Sequence, residues 1–280
     1  MKCAWQAFIN VLPNWMRQEV DKYGNDHPQE LRIRVGLQPE LVLQNGCKIL
    51  SRRAVKEDLS FVINVASEYS PWAAQTVKDG YITVSGGHRI GICGVAVVSE
   101  RKTRGISIPT SLCIRVARDF DGIARTVSHL CDSILIIGPP GSGKTTFLRD
   151  LIRCKSDSAA GSISVVDERE EIFPLHRGQA CFYTGRHTDI LSGTDKAQGI
   201  DCVLRSMNPY WIAVDEITSE HDCTALLHAG WCGVNLIATA HAGSIVDLRN
   251  RPVYKPILES KLFSNIIVLH KDKSWTYERI

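Results

Sequence analysis

Trp5, Phe8, Ile9, Leu12, Trp15 and Met16 recur at the spacing of one helical face, so the chain is expected to open on an amphipathic helix with a core-facing stripe. Leu31, Ile33 and Val35 alternate with polar neighbours and predict a half-buried strand; Leu41 to Leu43 predicts another, and helical spacing returns at Val55, Leu59, Val62 and Ile63. Tyr81 to Val84, Ile90 to Val98 and Ile106 to Val116 add β segments around the Gly86-Gly87 turn, with Ser99 to Gly105 read as a solvated loop. The pattern changes after Asp119-Phe120-Asp121-Gly122. From there, short unbroken apolar runs (Ile134 to Ile137, Ile163 to Val166, Trp211 to Val214, Leu236 to Ala240) are separated by helical segments, the pattern of parallel strands buried on both faces. The expectation is an α/β protein of two parts: a smaller mixed α/β domain over residues 1–118, then a domain with a parallel-rich central sheet over residues 119–280. Neither part shows internal repeats or low-complexity tracts.

Composition narrows the classes. With 280 residues, 44% hydrophobic and 22% charged, the chain can bury the cores of two modest domains, which excludes a disordered or fibrous protein. Its 33 Lys and Arg against 30 Asp and Glu leave a net charge of +3 with no basic stripe, and its densest basic cluster, Arg101, Lys102 and Arg104, falls in the expected loop; no nucleic-acid partner is expected. The apolar runs are strand-sized, far short of the roughly 18 to 20 residues that cross a bilayer, so no membrane span is expected. Gln6 and Asn10 interrupt the apolar stretch after Met1-Lys2, which argues against a signal peptide. Ten cysteines spread along the chain without a Cys-x-x-Cys pair predict reduced, buried thiols in a cytoplasmic protein. His221, Cys223, His228 and Cys232 are ligand types for zinc, but Cys223, His228 and Cys232 would point to different sides of the helix they share, so no metal site is expected there.

The chemistry lies in the second part. Gly138-Pro139-Pro140-Gly141-Ser142-Gly143-Lys144-Thr145, followed by Thr146, fits G-x-x-x-x-G-K-[ST] between an apolar strand and a helical stretch, the context that this phosphate loop requires. Its glycines let the backbone wrap a triphosphate, with Lys144 reaching the β- and γ-phosphates and the Thr145 hydroxyl available to Mg²⁺. Trp211 to Val214 leads into Asp215 and Glu216 at a strand end: Asp215 is the metal-side carboxylate, and Glu216 is placed to orient or deprotonate a water. Ile163 to Val166 ends in Asp167-Glu168-Arg169-Glu170-Glu171, where Asp167 and Glu168 are candidates to assist the metal or the base, against the alternative of a solvated charge run. His241, at the end of Leu236 to Ala240, is positioned to sense a γ-phosphate.

Taken in order, GPPGSGKTT, VVDEREE, RSMNPYWIAVDEI and GVNLIATAHAGS resemble the secretion-type ATPases, the hexameric motors of type II and type IV secretion and pilus retraction. GYITVSGGHRIGICG and CIRVAR in the first part are similar to a sporulation branch of that superfamily. The resemblance implies a RecA-like second domain, ATP and Mg²⁺ as cofactors, and a homohexamer in the cytoplasm. It further implies docking on membrane-embedded channel or secretion-complex proteins, on the mother-cell side of a forespore, and work in assembling or driving transport through that complex. By position, Asp167 and Glu168 resemble the acidic box, Asp215 and Glu216 the Walker B carboxylates, and His241 the surviving member of a histidine box whose first member is replaced within Gly233-Val234-Asn235. Arg89 and Arg115 resemble arginines that reach a nucleotide across a domain or subunit interface. Thr218 stands where a glycine is common, and Ser264-Asn265 where a Phe-Glu-Arg stretch is usual.

Two other readings compete. Leu191-Ser192-Gly193 begins like the signature of an ABC-type ATPase, although Thr194-Asp195 replaces the Gly-Gln that would complete it. A nucleotide-binding assembly scaffold without turnover is a different class, against which the intact Lys144, Thr145, Asp215 and Glu216 argue. A translational-type GTPase lacks its Asn-Lys-x-Asp motif, the nearest stretch being His270-Lys271-Asp272-Lys273.

Overall fold

A computed structural model describes residues 1–24, 28–68, 80–99, 102–158 and 161–280. These form two compact units: residues 1–119 with 175–182, and residues 120–174 with 183–280. The excursion of Leu175–Phe182 into the first unit has no counterpart in the sequence pattern.

In the first unit, strands β1 (Pro28–Arg34), β2 (Glu40–Leu43), β3 (Gly46–Ile49), β4 (Tyr81–Thr83), β5 (Arg89–Ser99) and β6 (Lys102–Arg115) build an antiparallel sheet of order β3-β2-β1-β6-β5-β4. The expected opening helix is two helices, Trp5–Asn10 and Asn14–Val20, because Pro13 has no N–H to continue the ladder and its ring fixes a turn between them. The apolar stripe nonetheless packs inward: Phe8, Ile9, Leu12 and Met16 are buried with Leu31, Ile33, Ile90 and Ile114 and with Leu59 and Val62 of the helix Lys56–Ala66. The expected loop at Ser99 to Gly105 is mostly strand, since Ser99 pairs with Lys102 and Val97 with Gly105; Arg101, and the side chains of Lys102 and Arg104, lie outside the described residues.

His88 explains part of the GGHRIG stretch. Its imidazole is fully buried, with Nε2 donating to the Ala4 carbonyl at 2.9 Å and Nδ1 accepting the Ala117 N–H at 3.0 Å. Burial pushes its pKa down, and the Arg118 charge adds to this against the Ala4 hydrogen bond. Gly86 has φ of +79°, and a Cβ there would sit 2.3 Å from the Ala4 Cβ, so no larger residue fits the turn that carries His88.

A two-stranded hairpin, β9 (Leu175–His176) and β10 (Gln179–Ala180), completes the first unit. In the second unit, β7 (Ile134–Gly138), β8 (Ile163–Asp167), β11 (Thr188–Ser192), β12 (Trp211–Ile217), β13 (Asn235–His241), β14 (Asn265–Leu269) and β15 (Trp275–Arg279) form a sheet of order β11-β8-β12-β13-β7-β14-β15. Every pairing is parallel except that of β15. Strand β7 is buried along its whole length, as its unbroken apolar run requires. The edge strand β11 escaped the sequence reading because its TDILS run is half polar and only partly buried. The cysteines also differ from expectation: all ten are free, but only Cys223 is buried, while Cys47, Cys93, Cys131, Cys202 and Cys232 are exposed. Among the described residues no helix is long and apolar enough to cross a membrane.

The helix that follows the phosphate loop, Lys144–Asp157, holds the loops around it through buried polar groups. Asp150 accepts the N–H groups of Gly122 and Ala124 at 3.0 and 2.8 Å; Arg149 reaches the Ile172 and Glu171 carbonyls; Arg153 reaches the Phe120 carbonyl. Lys155 is 1% exposed, donates to the Ser128 and Leu130 carbonyls and lies 4.0 Å over the Trp211 ring. With no carboxylate beside it among the described residues, burial pulls its pKa down to about 8.

Candidate functional site

The carboxyl ends of β7, β8, β12 and β13 carry the expected loop and polar tips, where ligands sit in open parallel sheets. After β7 the chain turns through Gly141 and Gly143, at φ of +73° and +101°, with nothing within 4 Å of where a Cβ would stand. Gly143 caps the helix Lys144–Asp157 without a side chain, so the first N–H groups of a 14-residue helix are left for an anion. The loop and the helix dipole therefore fit a phosphate.

Lys144 fills the gap between this loop and β13. Its ammonium donates to the Gly138 and Pro139 carbonyls at 3.0 and 3.2 Å and to His241 Nδ1 at 2.9 Å, which occupies all three protons. Burial lowers its pKa, and Asp215 and Glu216 partly restore it. An ammonium can only donate, so His241 Nδ1 accepts and the ring proton sits on Nε2, which donates to Glu216 Oε1. The other Glu216 oxygen takes Arg169 at 3.2 Å. Arg169 and His241 thus hold the two oxygens of one carboxylate, with Lys144 joined to it through the His241 ring.

Asp215 and Glu216 are consecutive and would face opposite sides of a regular strand. The register between β12 and β13 slips by one residue between Val214 and Ile217, and Glu216 takes φ of +52°, so both carboxylates reach the site. Thr239 fixes the bulge: its hydroxyl donates to Asp215 Oδ1 and accepts the Glu216 N–H at 2.8 Å. Thr145 donates to Asp215 Oδ2 at 2.6 Å, which pairs the two oxygen donors that would hold Mg²⁺, a hard cation suited to such ligands.

The acidic stretch after β8 divides. Asp167, 2% exposed, accepts the N–H groups of Glu171, Ile172 and Phe173 at 2.9, 3.0 and 2.8 Å, and burial pushes its pKa up against those bonds. Asp167, expected to assist the metal or the base, has both its oxygens bonded to the turn that follows β8, which gives it a structural task. Glu168 pairs instead with Lys196, which is 5% exposed. Asp167, Glu168, Lys196, Arg169, Asp215 and Glu216 line a cavity of about 10 Å³, the size of one water.

Arg89 and Arg115 belong to the first unit, where they stand directly opposed across β5 and β6, with the Arg89 guanidinium 3.7 Å over the Tyr81 ring. Leu191 and Ser192 lie in β11, and the helix after them is capped by Asp195, whose carboxylate takes the Ala197 and Gln198 N–H groups. That helix start is filled by its own side chain and cannot serve as an ABC-type phosphate contact.

Sequence reasoning missed Thr239, Arg169 and Lys196. Thr239 was within reach, being two residues from His241 and so on the same face of β13. Arg169 and Lys196 gave no signal, since their partners are distant in sequence.

The description sporulation stage III, protein AA, fits residues 6–277. A curated relative, stage III sporulation protein AA of Bacillus subtilis (strain 168), is 36% identical over 276 residues, covering 94% of this chain and 90% of the relative. Among solved structures, the pilus retraction motor PilT with bound ADP matches at a TM-score of 0.62 and 17% identity, over 90% of this chain and 76% of that one. The Legionella pneumophila ATPase DotB matches at 0.59 and 16%, over 96% and 80%. At such identities the two structures show the shared fold, that of secretion and pilus-retraction ATPases, in agreement with the expected RecA-like domain. The sequence match spans nearly the whole chain, first unit included, and on that ground the chain belongs to the sporulation stage III protein AA family.

Proposed function

We propose that the chain hydrolyses ATP with Mg²⁺. The observation that carries this reading is the joining of Thr145 to Asp215 and of Lys144 through His241 to Glu216, directly beneath an uncapped phosphate-loop helix. Thr145 and Asp215 would hold Mg²⁺, and the bound metal supplies neutralisation of phosphate charge. The backbone N–H groups of Gly141 to Thr146, with Pro139 and Pro140 shaping the turn, bind the phosphates. Lys144 leaves the Gly138 and Pro139 carbonyls and His241 to reach the β- and γ-oxygens. His241, released from Lys144, senses the γ-phosphate, and Glu216, held by His241 and Arg169 at a cavity the size of one water, orients and deprotonates the attacking water. Glu168 acts with Lys196 as a positioning pair on the far side of that cavity. Positioning and charge stabilisation supply most of the rate.

Arg89 and Arg115 would stabilise transition-state charge from a neighbouring subunit of a homohexamer, with residues 1–118 acting as the moving domain. The pilus retraction motor and DotB share this fold, and family membership supports a motor that docks on membrane-embedded channel proteins during sporulation. The test is phosphate release from Mg-ATP by wild type, Lys144→Ala and Glu216→Gln, with particle mass by light scattering. Turnover that Lys144→Ala abolishes, and that Glu216→Gln lowers about 10²- to 10⁴-fold while nucleotide still binds, is expected, together with a six-subunit particle. Binding without turnover in every assembly state would leave the non-catalytic scaffold as the correct reading.

A further inference from the structure

The outer side of the phosphate loop borders a cavity of about 420 Å³, within the range that takes a small organic ligand. One wall is the β14–β15 hairpin: Leu269 and Trp275, with the Trp275 ring edge-on to Phe147 of the loop's own helix at 5.7 Å between centroids. The facing wall is Phe120 and Ile123, 37% and 38% exposed, on the segment leading into β7. Both walls are tied to the phosphate loop and its helix. Asp150 and Arg153 hold the backbone at Phe120, Gly122 and Ala124, and Lys273 at the hairpin turn donates to the Gly141 carbonyl at 2.5 Å. Ser142, also on the cavity wall, has a hydroxyl that is buried without a hydrogen-bond partner, and the residue is 2% exposed.

Resting on the reading of the loop as a triphosphate site, we infer that this cavity takes the nucleoside half of the ligand and selects it by stacking and shape, so that ATP and GTP are accepted alike. The side chains there that can hydrogen-bond are Ser142, Thr146 and Lys273, at the phosphate end, where one of the three Lys273 protons goes to the Gly141 carbonyl, and the Trp275 indole. Farther out a base meets the side chains of Phe120, Ile123, Leu269 and Trp275, which offer faces and, in the Trp275 indole N–H, one donor that the ring-nitrogen acceptors common to adenine and guanine can take alike. Sites that hydrogen-bond a substrate group reject analogues lacking it by roughly 10⁴- to 10⁵-fold, whereas an apolar slot rejects a near-isostere by only about 10²-fold or less. Stacking on one aromatic side chain strengthens binding roughly 5- to 100-fold for any base.

The test is calorimetric titration of the full chain with Mg-ATP, Mg-GTP and Mg-tripolyphosphate, for wild type, Trp275→Leu and Phe120→Ala. ATP and GTP are expected to bind within about tenfold of each other and tighter than tripolyphosphate. Each variant is expected to weaken both nucleotides by roughly 5- to 100-fold and to leave tripolyphosphate within about twofold. Phe120 is partly exposed and keeps the test open if Trp275→Leu disturbs the hairpin. ATP preferred over GTP by more than about 100-fold would overturn base indifference. Equal binding of tripolyphosphate and nucleotides by wild type would overturn the nucleoside site while leaving the phosphate loop reading intact. Binding of none of the three would take down both.

Discussion

Asp167→Asn separates a structural carboxylate from a catalytic one. In the wild type Oδ2 accepts two N–H groups, of Ile172 and Phe173, and Oδ1 accepts that of Glu171. The amide oxygen of asparagine can serve the first pair, but its NH₂ then faces the Glu171 N–H as donor against donor. One charge-assisted bond is lost, worth about 1.5 to 3 kcal/mol. Part of this is offset because burial holds the Asp167 pKa above its unfolded value, so the ionised group itself costs stability at neutral pH and asparagine escapes that cost. A net loss of about 1 to 2.5 kcal/mol follows, lowering the unfolding midpoint by roughly 2 to 10 °C at about 2 to 4 °C per kcal/mol. Thermal unfolding and phosphate release at 20 °C or so, well below the transition, are the paired assays, with kcat expected to stay within about threefold of wild type. A general base would instead show a fall of about 10²- to 10⁴-fold. An unchanged midpoint combined with such a fall would refute the structural assignment and restore Asp167 to the chemistry.

Two further predictions concern buried bases whose folded pKa lies below the unfolded value, so that stability rises with pH across the interval between the two. For Lys155 the interval runs from about 8 to the ordinary lysine value of 10.5, a full swing of about 3 kcal/mol, of which about 1.3 kcal/mol falls between pH 7 and 9. Urea titrations should show wild type gaining that amount over Lys155→Met as the pH is raised; parallel curves would mean that the ammonium is not desolvated. For His88 the window lies below 6.5: the neutral ring's stability is present above that value and lost as the pH falls toward the lowered one, by at most about 1.4 kcal/mol per pH unit. His88→Gln, which can still donate to Ala4 and accept from Ala117, should flatten the acid limb of denaturation, and an unchanged limb would place the titrating group elsewhere.

Local pattern determined much of this protein. The apolar runs placed β7, β8, β12 and β13, and the loop motif placed the glycine turn between β7 and its helix, because burial on both faces and a tight glycine turn each demand residue types that stand together in sequence. Consecutive Asp215 and Glu216 were legible as a pair of carboxylates for the same reason. What they do was decided by a one-residue slip against β13 and a left-handed Glu216, which turn two neighbours toward one site when strand periodicity would separate them. Asp167 and Glu168 look equivalent in the sequence, yet the fold gives one to three backbone N–H groups and the other to Lys196. The cavity wall combines Phe120, Phe147 and Trp275 from three distant segments. Sequence specifies which groups are available locally, whereas the partner of a buried charge or ring is set by chain crossings that bring remote residues within hydrogen-bond or contact range, and only the tertiary structure records those.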